Sequence, residues 1–115
     1  MRDLKKMRER YLRDDKPERM GNLASSLLRL SNWVRVGHRV GHNDQGTVDL
    51  MREIAWFIEW NGDLALAELA DMQREICRWR RLWPIEQARA ILALRALQMS
   101  NRILELSGLL EPTRP

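Results

Sequence analysis

One cysteine, one phenylalanine and one tyrosine in 115 residues set the first limits on this chain. A lone Cys77 forbids an internal disulfide, so stability has to come from an apolar core, and it fits a reducing compartment. No apolar run approaches the roughly 18 residues of a membrane span, and the charged start Met1 to Lys6 leads into no hydrophobic signal region. The expectation is a cytoplasmic chain with no membrane partner. Sustained alternation of apolar and polar residues is missing too, which argues against half-buried strands. Gly37, Gly41 and Gly46 follow no strand and match no nucleotide fingerprint. Without a catalytic or cofactor signature, the chain reads as a non-enzyme with no cofactor and no metal.

What is present is helical punctuation and tryptophan. Hydrophobic residues make up 44% of the chain, enough for the core of one domain over residues 1–115. Lys and Arg number 20 against 16 Asp and Glu, a formal charge of +4 spread among residues of both signs, so the basic balance alone is a weak argument for nucleic acid.

Apolar spacing of three and four divides the chain into five helical pieces. The first, Arg2 to Arg13, carries one narrow stripe of Leu4, Met7 and Tyr11. Pro17 suits the first turn of a second helix running to about Val36, with Met20, Leu23, Ala24, Leu27, Leu30 and Val34 inward. The glycines of GHRVGHNDQG end it. Thr47 is the expected N-cap of a third helix, Val48 to Trp60, with Leu50, Met51, Ile54, Phe57 and Ile58 inward. Asp63 caps a fourth, Leu64 to Leu82, which buries Ala65, Leu69, Met72, Ile76, Trp79 and Trp83 before Pro84 stops it. The last, Ile85 to Ser107, has Ile85, Ala88, Leu92, Ala96, Met99, Ile103 and Leu106 on one side and Gly108 as C-cap. It also carries Ile91, Leu94, Leu97 and Leu104 elsewhere, and so is central in the bundle or shared with a partner.

The five tryptophans divide by helical projection. Trp79 and Trp83 fall on the core side of their helix. Trp56 and Trp60 point roughly 160° and 120° away from Ile54, and Trp33 about 120° from Leu27, at about 100° of turn per residue. An indole removes on the order of 150–250 Å² from water when buried, so these three require a cover. Two covers are available, a second copy of the chain or the helix bearing Leu4, Met7 and Tyr11. A third reading has them lining grooves between neighbouring helices.

Three other constellations carry less. Arg74, Arg78 and Arg81 line the side of their helix opposite Ile76, a solvated row that offers candidate phosphate contacts. His38 and His42 stand four apart, a spacing that holds zinc on a helix, but the surrounding glycines read as a loop and only Asp44 offers a further ligand. Cys77 has no neighbouring base in any motif, which argues against a nucleophile.

ERMGNLASSLLRLSNW, FIEW, WRRLWP and RILELSGLL together resemble a family of short helical cyanobacterial proteins. The resemblance covers most of the chain after the first helix and implies one recurring scaffold for the tryptophan-bearing segments; it transfers no catalytic or binding residue.

These readings predict an all-α fold, a four-helix up-down bundle over 17–110 with an additional N-terminal amphipathic helical arm over 1–14. The expected function is protein–protein contact through self-association, as a homodimer or with another protein, with Trp33, Trp56, Trp60, Leu94 and Leu97 at the interface. The alternative is a nucleic-acid-associated regulator using the basic first helix and Arg74, Arg78 and Arg81.

Overall fold

The computed structural model describes residues 3–36, 44–62, 66–84 and 86–108. Among these the chain is all-helical: α1 (Leu4–Arg13), α2 (Lys16–Val36), α3 (Asp44–Trp60), α4 (Ala67–Leu82), a 3-10 turn (Glu86–Ala88) and α5 (Arg89–Ser107), with no strand.

Local chemistry sets three of the helix ends. Asp3 caps α1, its carboxylate accepting from the backbone N–H of Lys5 at 3.0 Å and of Lys6 at 3.3 Å. Asp15 does the same for α2, accepting from the Glu18 N–H at 3.2 Å just ahead of Pro17. α5 ends on Gly108, whose φ of 82° lies in the left-handed region that glycine enters without steric cost.

Some boundaries depart from the spacing argument. α3 begins at Asp44, which places Thr47 inside the first turns, 3% exposed, rather than at the cap. α5 begins at Arg89 after the 3-10 turn, since the stretch following Pro84 does not enter the α-helix directly. α4 begins at Ala67 with Leu66 in extended conformation at its cap and no side-chain cap bond, three residues after the expected start at Leu64. Residues 1–2, 37–43 and 63–65, and with them His38, His42 and Asp63, lie outside the described residues, as do Ile85 and 109–115.

Every inward residue expected of α2 is buried, and Leu23, Leu27, Leu30 and Val34 are fully so. They meet Met51, Ile54 and Ile58 of α3, Leu69, Met72, Ile76 and Trp79 of α4, and Leu92, Ala96, Met99 and Ile103 of α5 in one continuous core. Each large aliphatic side chain taken fully from water contributes about 1.5–3 kcal/mol, so this cluster is the principal stabilising term. Trp83 is half-buried against the same core, with the Arg89 guanidinium 4.7 Å above its ring.

α2 and α5 run antiparallel, tied by two serines. Ser31 Oγ donates to the Ala93 carbonyl at 2.7 Å, and Ser100 Oγ donates to the Ala24 carbonyl at 2.8 Å. Small residues at these crossings let the helices approach closely. α5 also runs antiparallel to α4 through two ion pairs: Arg95 grips both oxygens of Glu75 at 2.9 and 2.8 Å, and Arg102 both oxygens of Glu68 at 2.7 Å.

Candidate functional site

The off-core tryptophans separate into one that the chain covers itself and two that line a groove. Tyr11 of α1 lies flat on Phe57 of α3, centroids 4.6 Å apart and planes within 4°, and meets Trp60 at 5.9 Å. Trp56 stacks on Trp60, also at 5.9 Å. Trp60 is thereby only 9% exposed, and its cover is the protein's own first helix rather than a second subunit. The Tyr11 hydroxyl donates to the Arg19 carbonyl at 3.0 Å and accepts from the amide of Asn61, which is fully buried and also donates to the Phe57 carbonyl at 3.0 Å. The network fixes where α1 lies on α3, while Asn61 Oδ1, also buried, has no hydrogen-bond partner among the described residues.

Trp33 and Trp56 line an open groove of about 630 Å³ between α1, α2 and α3, with Leu4, Met7 and Leu50 supplying the rest of its apolar wall. Its margin is charged: Arg29, Asp49, Arg52 and Glu53 also line it, and Arg52 pairs with Asp49 at 2.9 Å. Trp33 is half-buried against the core and Trp56 is 37% exposed, so the groove keeps both indoles partly in water.

Leu94 and Leu97 lie elsewhere. On α5 they are 54% and 38% exposed, and the neighbouring Ile91 is 65% exposed. The serine bonds level residue 31 with 93 and residue 24 with 100, which sets Leu28 of α2 at the height of Leu97, on the side of the helix pair away from the core. Leu28 is 46% exposed. Around it α2 presents Gly21, Ser25, Leu28 and Asn32, and α5 presents Ala90, Leu94, Leu97, Asn101 and Leu104, both at the four-three spacing of a helix seam. Between Gly21 and Asn32, and between Ala90 and Leu104, the stripes carry no ionisable group, but the same spacing on α2 meets Glu18 before Gly21 and Arg35 after Asn32, and Arg35 donates to Asn32 Oδ1 at 3.2 Å. Leu28 was missed by the reading of the core stripe alone. The signal that reveals it is the uncharged Gly21 to Asn32 row beside that stripe.

The arginine row is on the surface as projected. Arg74, Arg78 and Arg81 come together with Arg80, Gln73 and Cys77 around a shallow hollow of about 360 Å³ on α4. Arg74 pairs with Asp71, whereas no ion pair joins Arg78, Arg80 or Arg81 to an acidic group among the described residues. Cys77 is half-buried beside them, with no basic nitrogen hydrogen-bonded to its thiol among the described residues. No group of three or more His, Cys, Asp or Glu residues able to hold a metal occurs among the described residues, and no described helix is long and apolar enough to cross a membrane.

Comparison with protein-family models, with curated proteins and with solved structures finds no match to the chain.

Proposed function

We propose that this protein is a non-enzymatic helical module of the cytoplasm that works through protein–protein contact and associates with itself. Its bundle spans 17–110 in four-helix up-down order, with the first helix as an arm held on α3; the resemblance to short cyanobacterial proteins belongs to the same proposal. The observation that carries it is the outer face of α2 and α5, where Leu28, Leu94 and Leu97 are each more than one third exposed and the rows Gly21 to Asn32 and Ala90 to Leu104 carry no charge. Scattered exposed leucines are ordinary, but contiguous ones on a seam without charge mark an interaction surface. Sedimentation velocity from about 1 to 100 µM tests it, a range set by ordinary micromolar affinities. A concentration-dependent dimer is expected, and a strict monomer throughout overturns the reading.

A second reading is supported by the α4 hollow, where Arg78, Arg80 and Arg81 stand exposed beside Arg74, with no ion pair to an acidic group among the described residues. Three or four guanidinium groups on one face would contact phosphates of a nucleic acid, with affinity that falls as counterions compete. Retention on DNA or RNA at low salt that Arg78→Glu with Arg81→Glu abolishes would support it. No retention at any salt concentration would remove it.

A further inference from the structure

We propose that α1 is a releasable cover. It leaves α3 as a unit while α2–α5 stay folded, and its release bares the aromatic face of Trp56, Phe57 and Trp60, whether or not the protein associates with itself.

Burial sets α1 apart from the other helices. The continuous core begins at Met20 and holds no residue of α1. Of the ten residues of α1 only Tyr11 is buried; Met7 and Leu12 are half-buried, and Leu4 is 43% exposed. Withdrawing the helix therefore opens no cavity among the aliphatic side chains of α2–α5, and the parts of a fold that open first are those with few buried apolar contacts. Charge adds no further hold. Leu4–Arg13 carries five Lys or Arg and one Glu, and no ion pair joins them to another helix among the described residues. A helix this short is marginal on its own in water, so the released arm gains chain entropy as it unwinds.

One side chain does most of the closing. Tyr11 stacks on Phe57, meets Trp60, and bonds the Arg19 carbonyl and the Asn61 amide. Phe57 and Trp60 lie 5.9 Å apart and Trp56 stacks on Trp60, so the rings beneath form a continuous face. Leu4 and Met7 extend the cover as one wall of the groove that Trp56 lines. The hinge stays with α2. Asp14, extended at φ −79° and ψ 149°, accepts from the Asn22 amide at 3.2 Å, and Asp15 caps α2. Opening between Arg13 and Asp14 breaks neither of these bonds. Closure also has a standing cost, because Asn61 Oδ1 is buried without a hydrogen-bond partner among the described residues, and water reaches it once Tyr11 withdraws.

Native-state hydrogen exchange of the full chain, in water and in low urea, tests the cover. Corrected for their unstructured rates, the amides of Arg8 to Arg13 should exchange at least about 100-fold faster than the core amides of α2 and α5, with a shallower dependence on urea. The backbone N–H of Asn61, fully buried in the closed state, should exchange with α1 and not with the core. Leu27→Ala separates this opening from global unfolding, since Leu27 is buried alike whether the arm is closed or released. It should speed the core amides at least about 20-fold and leave those of α1 within about threefold of wild type. The wild-type rates stand on their own if the variant does not fold. Amides of α1 that exchange at the core rate, or that accelerate with the core in Leu27→Ala, would make α1 part of one cooperative unit and overturn the proposal. Fast exchange in α1 with Asn61 held at the core rate would mean that the helix frays without uncovering α3, and overturns it equally.

Discussion

The ring of Tyr11 lies parallel to that of Phe57, 4.6 Å from it, and its hydroxyl donates to the Arg19 carbonyl behind it. One side chain therefore binds α1 to α3 by its face and to α2 by its oxygen. Tyr11→Phe keeps the stack but removes the hydroxyl that donates to the Arg19 carbonyl and one of the two acceptors of the Asn61 amide, at an expected cost of about 1–3 kcal/mol. Tyr11→Ala removes the stack as well, for about 3–5 kcal/mol, and uncovers Trp60. Urea denaturation gives both numbers. Tryptophan emission should shift to the red in Tyr11→Ala and stay in place in Tyr11→Phe; an unshifted Tyr11→Ala would mean that α1 does not shield the indole.

Two exposed glutamates should respond to acid in opposite directions. Arg102 grips both oxygens of Glu68 and holds its carboxyl below the ordinary value of 4.5, with the hydrogen bonds as the leading cause. A carboxyl depressed in the folded state contributes stability at pH above its unfolded value, and that contribution disappears as pH falls through the folded value. Glu18 is raised from 4.5, first by the charge of Asp15 and then by Asp14, so ionising it opposes folding and the penalty develops as pH rises through that range. Glu68→Gln should flatten the acid limb of a stability-against-pH curve measured from about pH 3 to 7, and Glu18→Gln should stabilise the protein at the neutral end of it. Carbon-detected titration of the two carboxyls checks the order directly: Glu68 must titrate below Glu18.

Gly108 and Gly62 make a matched pair for testing backbone conformation without packing. A Cβ built at either position meets nothing within 4 Å, yet only Gly108 has a positive φ, of 82°. Gly108→Ala should cost about 1 kcal/mol through the left-handed penalty alone, and Gly62→Ala should be neutral or slightly stabilising through the unfolded chain. Thermal melting of the two variants distinguishes these outcomes, and equal effects would contradict the C-cap assignment.

The core was legible because three-four spacing reports burial directly: Leu23, Leu27, Leu30, Ile54, Ile76 and Ile103 all lie inward as projected. Helix starts were less legible. Thr47 resembles a cap by residue type, but α3 begins at Asp44, in a stretch whose local preferences are overridden by burial of Thr47 itself. The tryptophans show a further limit. Projection places Trp60 away from Ile54, which is correct for one neighbour, but a helix that packs on two sides has two inward directions, and the second is set by α1. Nothing in the local sequence of α3 announces that Tyr11 will come to lie there. The grouping of Trp33, Trp56 and Trp60 with Leu94 and Leu97 likewise merged positions that the fold distributes over a groove, a covered aromatic cluster and a separate face.

Adjacent leucines of α2 offer a final measurement in which sequence position is nearly constant and environment is not. Leu27 is fully buried, whereas Leu28 is 46% exposed on the outer face. Leu27→Ala should cost about 2–5 kcal/mol at any protein concentration, since it opens a cavity in the core of each chain. Leu28→Ala should cost less than about 1 kcal/mol in the monomer, where its side chain loses little buried area. If the outer face seats a second copy, the wild-type melting temperature rises with concentration by mass action. Leu28→Ala should reduce that rise while leaving the dilute limit nearly unchanged. Melting curves at about 1 and 100 µM give the comparison. A Leu28→Ala deficit of equal size at both concentrations would place the leucine's contribution inside one chain and leave the outer face without a partner.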